Sequence, residues 1–261
     1  MGRLLAVTGK GGSGKTTVTS LLARLAVGSG MRPVLAVDAD PNSTLAPLLG
    51  VAAGRRISDI REEIMKAKAE VSGVPKERLL EQELGGCVVE SDGFDLLTMG
   101  RPEGRSCYCY VNNLLRGALE SLRANYRLTV VDNEAGMEHL SRMNTADIDC
   151  LLVVTEPTLV GARSSLRILE LADSLEVKVG RRTLVWNKVP PGGVPAEAAG
   201  ILSGARVDAE FRLPLDGGLA RLSGMEESVF KAELPEGAGG LLDACVQGGR
   251  VISSTSRKGE Q

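Results

Sequence analysis

A chain of 261 residues, 43 % hydrophobic but only 3 % aromatic, is long enough to bury a large core, and that core must be aliphatic. Its 31 basic and 33 acidic residues leave a net charge of −2, which argues against a nucleic-acid partner gripped by bulk charge. No apolar run reaches the roughly 18 residues of a membrane-spanning helix, so no membrane association is expected.

The N-terminus enters a strand without the regions of a signal peptide, and Ala6 stands where a myristoylation motif wants Ser or Thr. Five cysteines, an odd number, in such a chain are expected to be reduced thiols in the cytoplasm.

Leu4 to Thr8 is an apolar, strand-like run that ends at Gly9-Lys10-Gly11-Gly12-Ser13-Gly14-Lys15-Thr16-Thr17. This is G-x-x-x-x-G-K-[ST] between a strand and a helical pattern, the setting a phosphate-binding P-loop requires. Glycines let the backbone curl so that successive N–H groups point at phosphate oxygens. Lys15 would bring a cation to the outer phosphates of ATP or ADP, and the Thr16 hydroxyl would ligate Mg2+. The helix starting near Lys15 adds its positive end. Val18, Leu21, Leu22, Leu25 and Ala26 then recur at helical spacing, so one face is expected on a sheet. Lys10 gives the stretch the form K-G-G-x-G-K-T-T, and one loop has little need of two cations. In this it resembles the deviant Walker A ATPases, a family that includes MinD, ParA and the nitrogenase iron protein. The resemblance implies that Lys10 reaches across a homodimer interface to the partner's nucleotide.

Val34 to Val37 reads as a second buried strand delivering Asp38-Ala39-Asp40-Pro41-Asn42. Carboxylates at the end of a strand beside the P-loop strand lie where open α/β sheets bind ligands. On an extended segment Asp38 and Asp40 point the same way and would address magnesium and the attacking water. Alone, the pair fits a turn before proline equally well; after the P-loop it resembles the family's switch I. Residues 54 to 92 read as a charged, mostly helical, exposed insertion. Phe94 to Met99 returns to strand, and Val111, Leu114, Leu115, Ala118 and Leu122 mark a helix. Leu128 to Val131 is a strand ending in Asp132-Asn133-Glu134-Ala135-Gly136, where Asp132 would hold magnesium through water and the Gly136 N–H would sense the γ-phosphate. His139, the single histidine, is expected to be a surface or capping residue.

Further strands are expected at Cys150 to Thr155 and Thr183 to Trp186, with a helix from about Leu159 to Leu175, and Phe211 to Asp216 resembles the last strand and loop of the deviant Walker A family. The strand end Asn187-Lys188-Val189-Pro190 suits a base edge. GTPases carry an aspartate three residues after that Asn; Pro190 stands there, so adenine is expected. Pro214 and Asp216 fall on the loop that closes over the base in the family this chain resembles. Strands and helices alternate from end to end, which predicts one doubly wound, mostly parallel P-loop domain over 1–261, with a loose tail about 249–261.

Cys107-x-Cys109 supplies half of a tetrahedral thiolate shell, and a twofold partner would complete it. Two ordinary reduced cysteines fit the bare spacing as well. Cys87, Cys150 and Cys245 fall in apolar patterns and are expected in the core. Together with Gly100-Arg101-Pro102-Glu103-Gly104 and Asp132-Asn133-Glu134-Ala135-Gly136-Met137-Glu138-His139, the cysteine pair makes the chain resemble the CooC-type ATPases, which mature carbon monoxide dehydrogenase and acetyl-CoA synthase. The resemblance implies Zn2+ or Ni2+ on Cys107 and Cys109 at the dimer interface, and ATP turnover linked to nickel delivery to a client enzyme. An iron–sulfur reductase would need a further cysteine between Asp132 and Arg142, and that stretch has none. A MinD-like positioning ATPase would need a basic amphipathic C-terminal helix, which the glycine-broken tail does not offer.

Overall fold

The computed structural model describes residues 2–66, 83–101, 108–136, 147–174, 178–224, 228–235 and 237–246. Strand β1 (Arg3–Gly9) is followed by α1 (Lys15–Gly28), β2 (Val34–Ala39), α2 (Leu45–Leu49) and α3 (Ile57–Lys66). Then come β3 (Val88–Glu90), β4 (Phe94–Thr98), α4 (Tyr108–Leu122), β5 (Leu128–Asn133) and β6 (Ile148–Thr155). The chain continues through α5 (Leu159–Ser174), β7 (Val179–Val189), α6 (Ala196–Leu202), β8 (Ala209–Pro214), α7 (Gly217–Ser223) and α8 (Gly240–Val246). Among the described residues the strands form one eight-stranded sheet in the order β3-β4-β2-β5-β1-β6-β7-β8. Every pairing is parallel except β3 with β4.

Alternation along each strand divides the core into two layers. Leu5 and Val7 of β1 join Val34, Ala36, Val130 and Leu152 on the face covered by α1, α2 and α8. Leu4 and Ala6 join Leu35, Val37, Val131 and Leu151 on the face covered by α3, α4, α5 and α6. Both faces are covered, and for that reason the central strands read as unbroken apolar runs. Helix α1 is more enclosed than a single sheet-facing stripe requires, since Thr19, Ser20, Ala23 and Val27 are buried as well. The carbonyls of Val229 and Ala232 accept from Arg24 Nη1 on its far side.

The region 54–92 differs from the exposed, mostly helical lobe that its charges predict. Ile57 and Ile60 of α3 are fully buried, with Leu84 and Cys87, against the second face of the sheet. Val88–Glu90 adds the antiparallel edge strand. Three residues are too few to show a period, and in α3 the charged Asp59, Glu62 and Glu63, which are half-buried or exposed, stand between and after the buried isoleucines. Residues 67–82 lie outside the described residues, as do His139 and the tail from 247. Strand β7 also outruns its apolar stretch: Arg182 is admitted to the core because its Nη2 pairs with Asp173 of α5 at 2.6 Å. Cys87, Cys150 and Cys245 are buried free thiols, as their apolar surroundings predict. No helix among the described residues is long and apolar enough to cross a membrane.

Candidate nucleotide and magnesium site

The carboxyl ends of β1, β2 and β5 converge on one place. Val7 of β1 and Asp38 of β2 both register with Asp132 of β5, so the two aspartates sit at the same level on adjacent parallel strands. The loop after β1 closes over them. Gly9, Gly12 and Gly14 adopt φ of 154°, 81° and 93°, in the region only glycine enters freely. A side chain on Gly9 would come within 2.2 Å of the Val154 carbonyl oxygen, and one on Gly14 within 2.2 Å of Asn187 Nδ2. Gly14 is the N-cap of α1, so the helix N-terminus opens into the loop. Ser13 and Lys15 are buried; Lys15 Nζ donates to the Lys10 carbonyl at 3.5 Å, whereas Lys10, Gly11 and Gly12 are exposed. Thr16 is half-buried and Thr17 buried. Ala135 and Gly136 (φ 111°) form the neighbouring loop, with the Ala135 methyl 3.7 Å from where a Gly11 side chain would start.

The two aspartates after β2 separate. Strand β2 stops at Ala39, so the strand alternation does not carry on to Asp40, and the pair does not face one way along a strand. Asp38 is buried and accepts the N–H groups of Asp40 at 3.2 Å and Leu45 at 2.8 Å, which ties it to the start of α2. Asp40 is half-buried in the turn that follows, and its Oδ1 accepts from Asn42 N and Nδ2 at 2.9 Å.

Asp132 is enclosed. Its Oδ1 lies 3.3 Å from the Thr19 hydroxyl, and its Oδ2 has no protein donor among the described residues. A buried carboxylate oxygen left open beside a P-loop threonine is a donor set that fits Mg2+. Burial pushes the Asp132 carboxyl up to about 7, with the Thr16 hydroxyl and the Lys15 ammonium opposing the rise and the Asp38 charge adding to it. Burial likewise lifts Asp38 to about 6, against the pull of the Leu45 and Asp40 N–H groups. Both acids therefore keep protons in the folded, metal-free chain that the unfolded chain gives up above about pH 4. Their contribution to metal-free stability is fully present below about pH 4 and is lost as pH rises through about 6 and about 7. Thermal unfolding in EDTA should show a lower midpoint at about pH 8 than at about pH 5, and Asp132→Asn should narrow that gap. Equal midpoints in the unaltered chain would contradict the burial of these acids.

The third predicted station is built differently from its expectation. Asn187 is buried, its Nδ2 donates to the Ser13 carbonyl at 2.8 Å, and its Oδ1 accepts the Lys188 N–H at 3.0 Å. The amide expected to read a base edge is thus engaged with the underside of the P-loop. Lys188, at φ 60°, donates Nζ to the Gly12 carbonyl at 2.9 Å and to Glu156 Oε1 at 2.7 Å. Glu156 was not singled out by spacing; an acidic residue at the end of β6 is the signal that marks it. Pro214 ends β8 and is exposed. Asp216 caps α7, its Oδ1 accepting from Gly218 N at 2.8 Å and Leu219 N at 3.0 Å, so that oxygen holds a helix. Cys107 lies outside the described residues, and Cys109 falls in the first turn of α4.

Sheet, loop and strand-end carboxylates together define a P-loop nucleotide hydrolase with the second lysine of the deviant Walker A type. The chain belongs to the CobQ/CobB/MinD/ParA nucleotide-binding domain family, whose model matches residues 4–229. It is similar to an uncharacterized ATP-binding protein of Methanocaldococcus jannaschii, 44 % identical over 191 residues, covering 72 % of this chain and 75 % of that protein. The carbon monoxide dehydrogenase accessory protein CooC of Rhodospirillum rubrum is 32 % identical over 192 residues, 67 % of this chain and 70 % of that protein. Among solved structures, the septum site-determining protein MinD of Pyrococcus horikoshii, complexed with Mg-ADP, superposes with a TM-score of 0.61 at 22 % identity, over 94 % of this chain and 93 % of that one. At that identity the likeness shows the fold. The chain is a ParA/MinD-type ATPase, and its cofactors are those of the family, ATP or ADP with Mg2+.

Proposed function

We propose that the chain is a dimerising metallochaperone ATPase that couples ATP hydrolysis to nickel insertion into a carbon monoxide dehydrogenase or acetyl-CoA synthase. One observation carries this reading: the segment leading to Cys107 and Cys109 leaves the sheet against the nucleotide site. Strand β4 runs parallel to β2, so its connection to α4 emerges at the P-loop end of the sheet. It starts with the Met99 N–H bonded to the Asp38 carbonyl at 2.8 Å, and the Met99 carbonyl accepts from Ser58 N at 2.9 Å. The backbone that leads toward Cys107 and Cys109 is thus tied at Met99 to the strand end that carries Asp38. The CooC relative supports a carbon monoxide dehydrogenase client through its name, that of an accessory protein of that enzyme.

In this reading Lys15 and the Gly11, Gly12, Ser13 and Gly14 N–H groups hold the phosphates. Thr16, Thr17, Asp38 and Asp132 would hold magnesium, Asp40 would align the water, and the Gly136 N–H would contact the γ-phosphate. Lys10 crosses to the partner's nucleotide. Lys188, Pro214 and Asp216 border the base, with Asn187 acting from beneath the loop. When bound, magnesium supplies charge neutralisation between the outer phosphates; the residues orient the water and the leaving ADP.

Cys107 and Cys109 with their twofold copies make four thiolates, so one zinc or nickel ion per two chains is expected. Binding should release protons, because thiols ionise to ligate. Elemental analysis of the dimer, with and without Cys107→Ala/Cys109→Ala, tests this together with nickel-dependent activation of the client enzyme. One ion per chain, or full metal retention in the double variant, would remove the cysteines from the mechanism. Nucleotide-dependent sedimentation with lipid vesicles in place of metal binding would favour a MinD-like positioning ATPase, the reading that the fold alone permits.

A further inference from the structure

Thr19 sits one turn into α1 and is fully buried. Its Oγ1 lies 3.0 Å from the Lys15 carbonyl oxygen and 3.3 Å from Asp132 Oδ1. A hydroxyl has one proton, so it serves one of these two acceptors at a time. The Lys15 carbonyl is an acceptor of the helix ladder in any case, and it loses little when the hydroxyl turns away. The carboxylate is in the opposite position. It is enclosed in protein with the Thr16 hydroxyl as its other hydroxyl neighbour, Oδ2 has no donor among the described residues, and an ionised group short of donors there is strongly disfavoured.

We propose that Thr19 is a positioning residue for magnesium: it donates its hydroxyl proton to Oδ1 of the ionised Asp132, fixing the carboxyl plane and leaving Oδ2 for the ion's water shell. This rests on the reading of Asp132 as a magnesium carboxylate. Bonds of this outer kind set the orientation and charge of the inner ligand, and losing one weakens metal affinity by about 10–100-fold. A threonine that merely bonds to the carbonyl one turn back, a common habit inside helices, would have no effect on magnesium.

The two roles separate in one titration. Thr19→Val keeps the branched shape and removes the hydroxyl; Thr19→Ala removes it without that shape, so the outcome does not hang on how valine packs. Thr19→Ser keeps the hydroxyl. Binding of a fluorescent ADP is followed as magnesium is added, and again in EDTA. The midpoint in magnesium should rise about 10-fold for Thr19→Val and Thr19→Ala. It should return close to the original for Thr19→Ser, while affinity in EDTA stays the same in all. Asp132→Asn should raise the midpoint further. An unchanged midpoint in both hydroxyl-free variants, with Asp132→Asn still shifted, overturns the role of Thr19. An unchanged midpoint in Asp132→Asn overturns the magnesium reading of Asp132, and this inference falls with it.

Discussion

Lys10→Ala is expected to bind ATP about as well as the unaltered chain but to hydrolyse it on the order of 10²–10³-fold more slowly. Lys15→Ala should lose binding itself, by about two orders of magnitude, as expected when a hydrogen bond to a charged group is removed from a closed site. The difference follows from where the two cations stand. Lys15 is 7 % exposed and lies inside the loop, its ammonium 3.5 Å from the Lys10 carbonyl, in place to meet phosphate oxygens. Lys10 is on the solvent side of the same loop. A cation so placed adds little to holding a nucleotide in its own chain; in the dimer proposed above it would contribute where charge develops during hydrolysis, at the γ-phosphate of the second chain. Calorimetry with a non-hydrolysable ATP analogue separates binding from turnover, and mixing Lys10→Ala with unaltered chains should give intermediate rates. Normal turnover by Lys10→Ala would end the reading of this loop as a deviant Walker A motif.

Gly14→Ala should be far more damaging than Gly12→Ala, although both glycines have positive φ, 93° and 81°. A side chain on Gly12 meets nothing within 4 Å, so only the left-handed backbone is penalised, by about 1–2 kcal/mol. A side chain on Gly14 would lie 2.2 Å from Asn187 Nδ2 and must drive that amide off the Ser13 carbonyl, which it holds at 2.8 Å. The loop then loses its brace as well as its conformation. Nucleotide affinity is expected to fall at least about 100-fold, against less than about 10-fold for Gly12→Ala. Asn187→Ala removes both the brace and the obstacle. The double variant Gly14→Ala/Asn187→Ala should therefore be less destabilised than the sum of the single changes, by about 0.5–3 kcal/mol. Thermal unfolding and ADP titration of the four proteins close the cycle, and strict additivity would mean that Asn187 does not hold the loop.

The central strands, the P-loop, α1 and the positions of Asp38 and Asp132 were legible in the chain order, because each rests on local chemistry. A strand buried on both faces is an unbroken apolar run, a phosphate loop needs glycines at set offsets, and a carboxylate at a strand end is visible from the run before it. Residues 88–90 escaped this reading because an edge strand of three has no period, and Arg181 and Arg182 disguised the start of β7. The antiparallel edge and the place of β5 between β1 and β2 depend on which apolar faces meet, a matter no single segment records. The partnerships within the site are longer still. Thr19 reaches Asp132 across 113 residues, Asn187 reaches Ser13 across 174, and Lys188 reaches Gly12 across 176. By itself the sequence determined that this is a P-loop ATPase with two lysines in one loop, since that chemistry is written in consecutive residues. Only the tertiary structure decided which side chains hold that loop in shape, because a hydrogen bond between distant segments exists only after the strands carrying its partners have come to lie side by side.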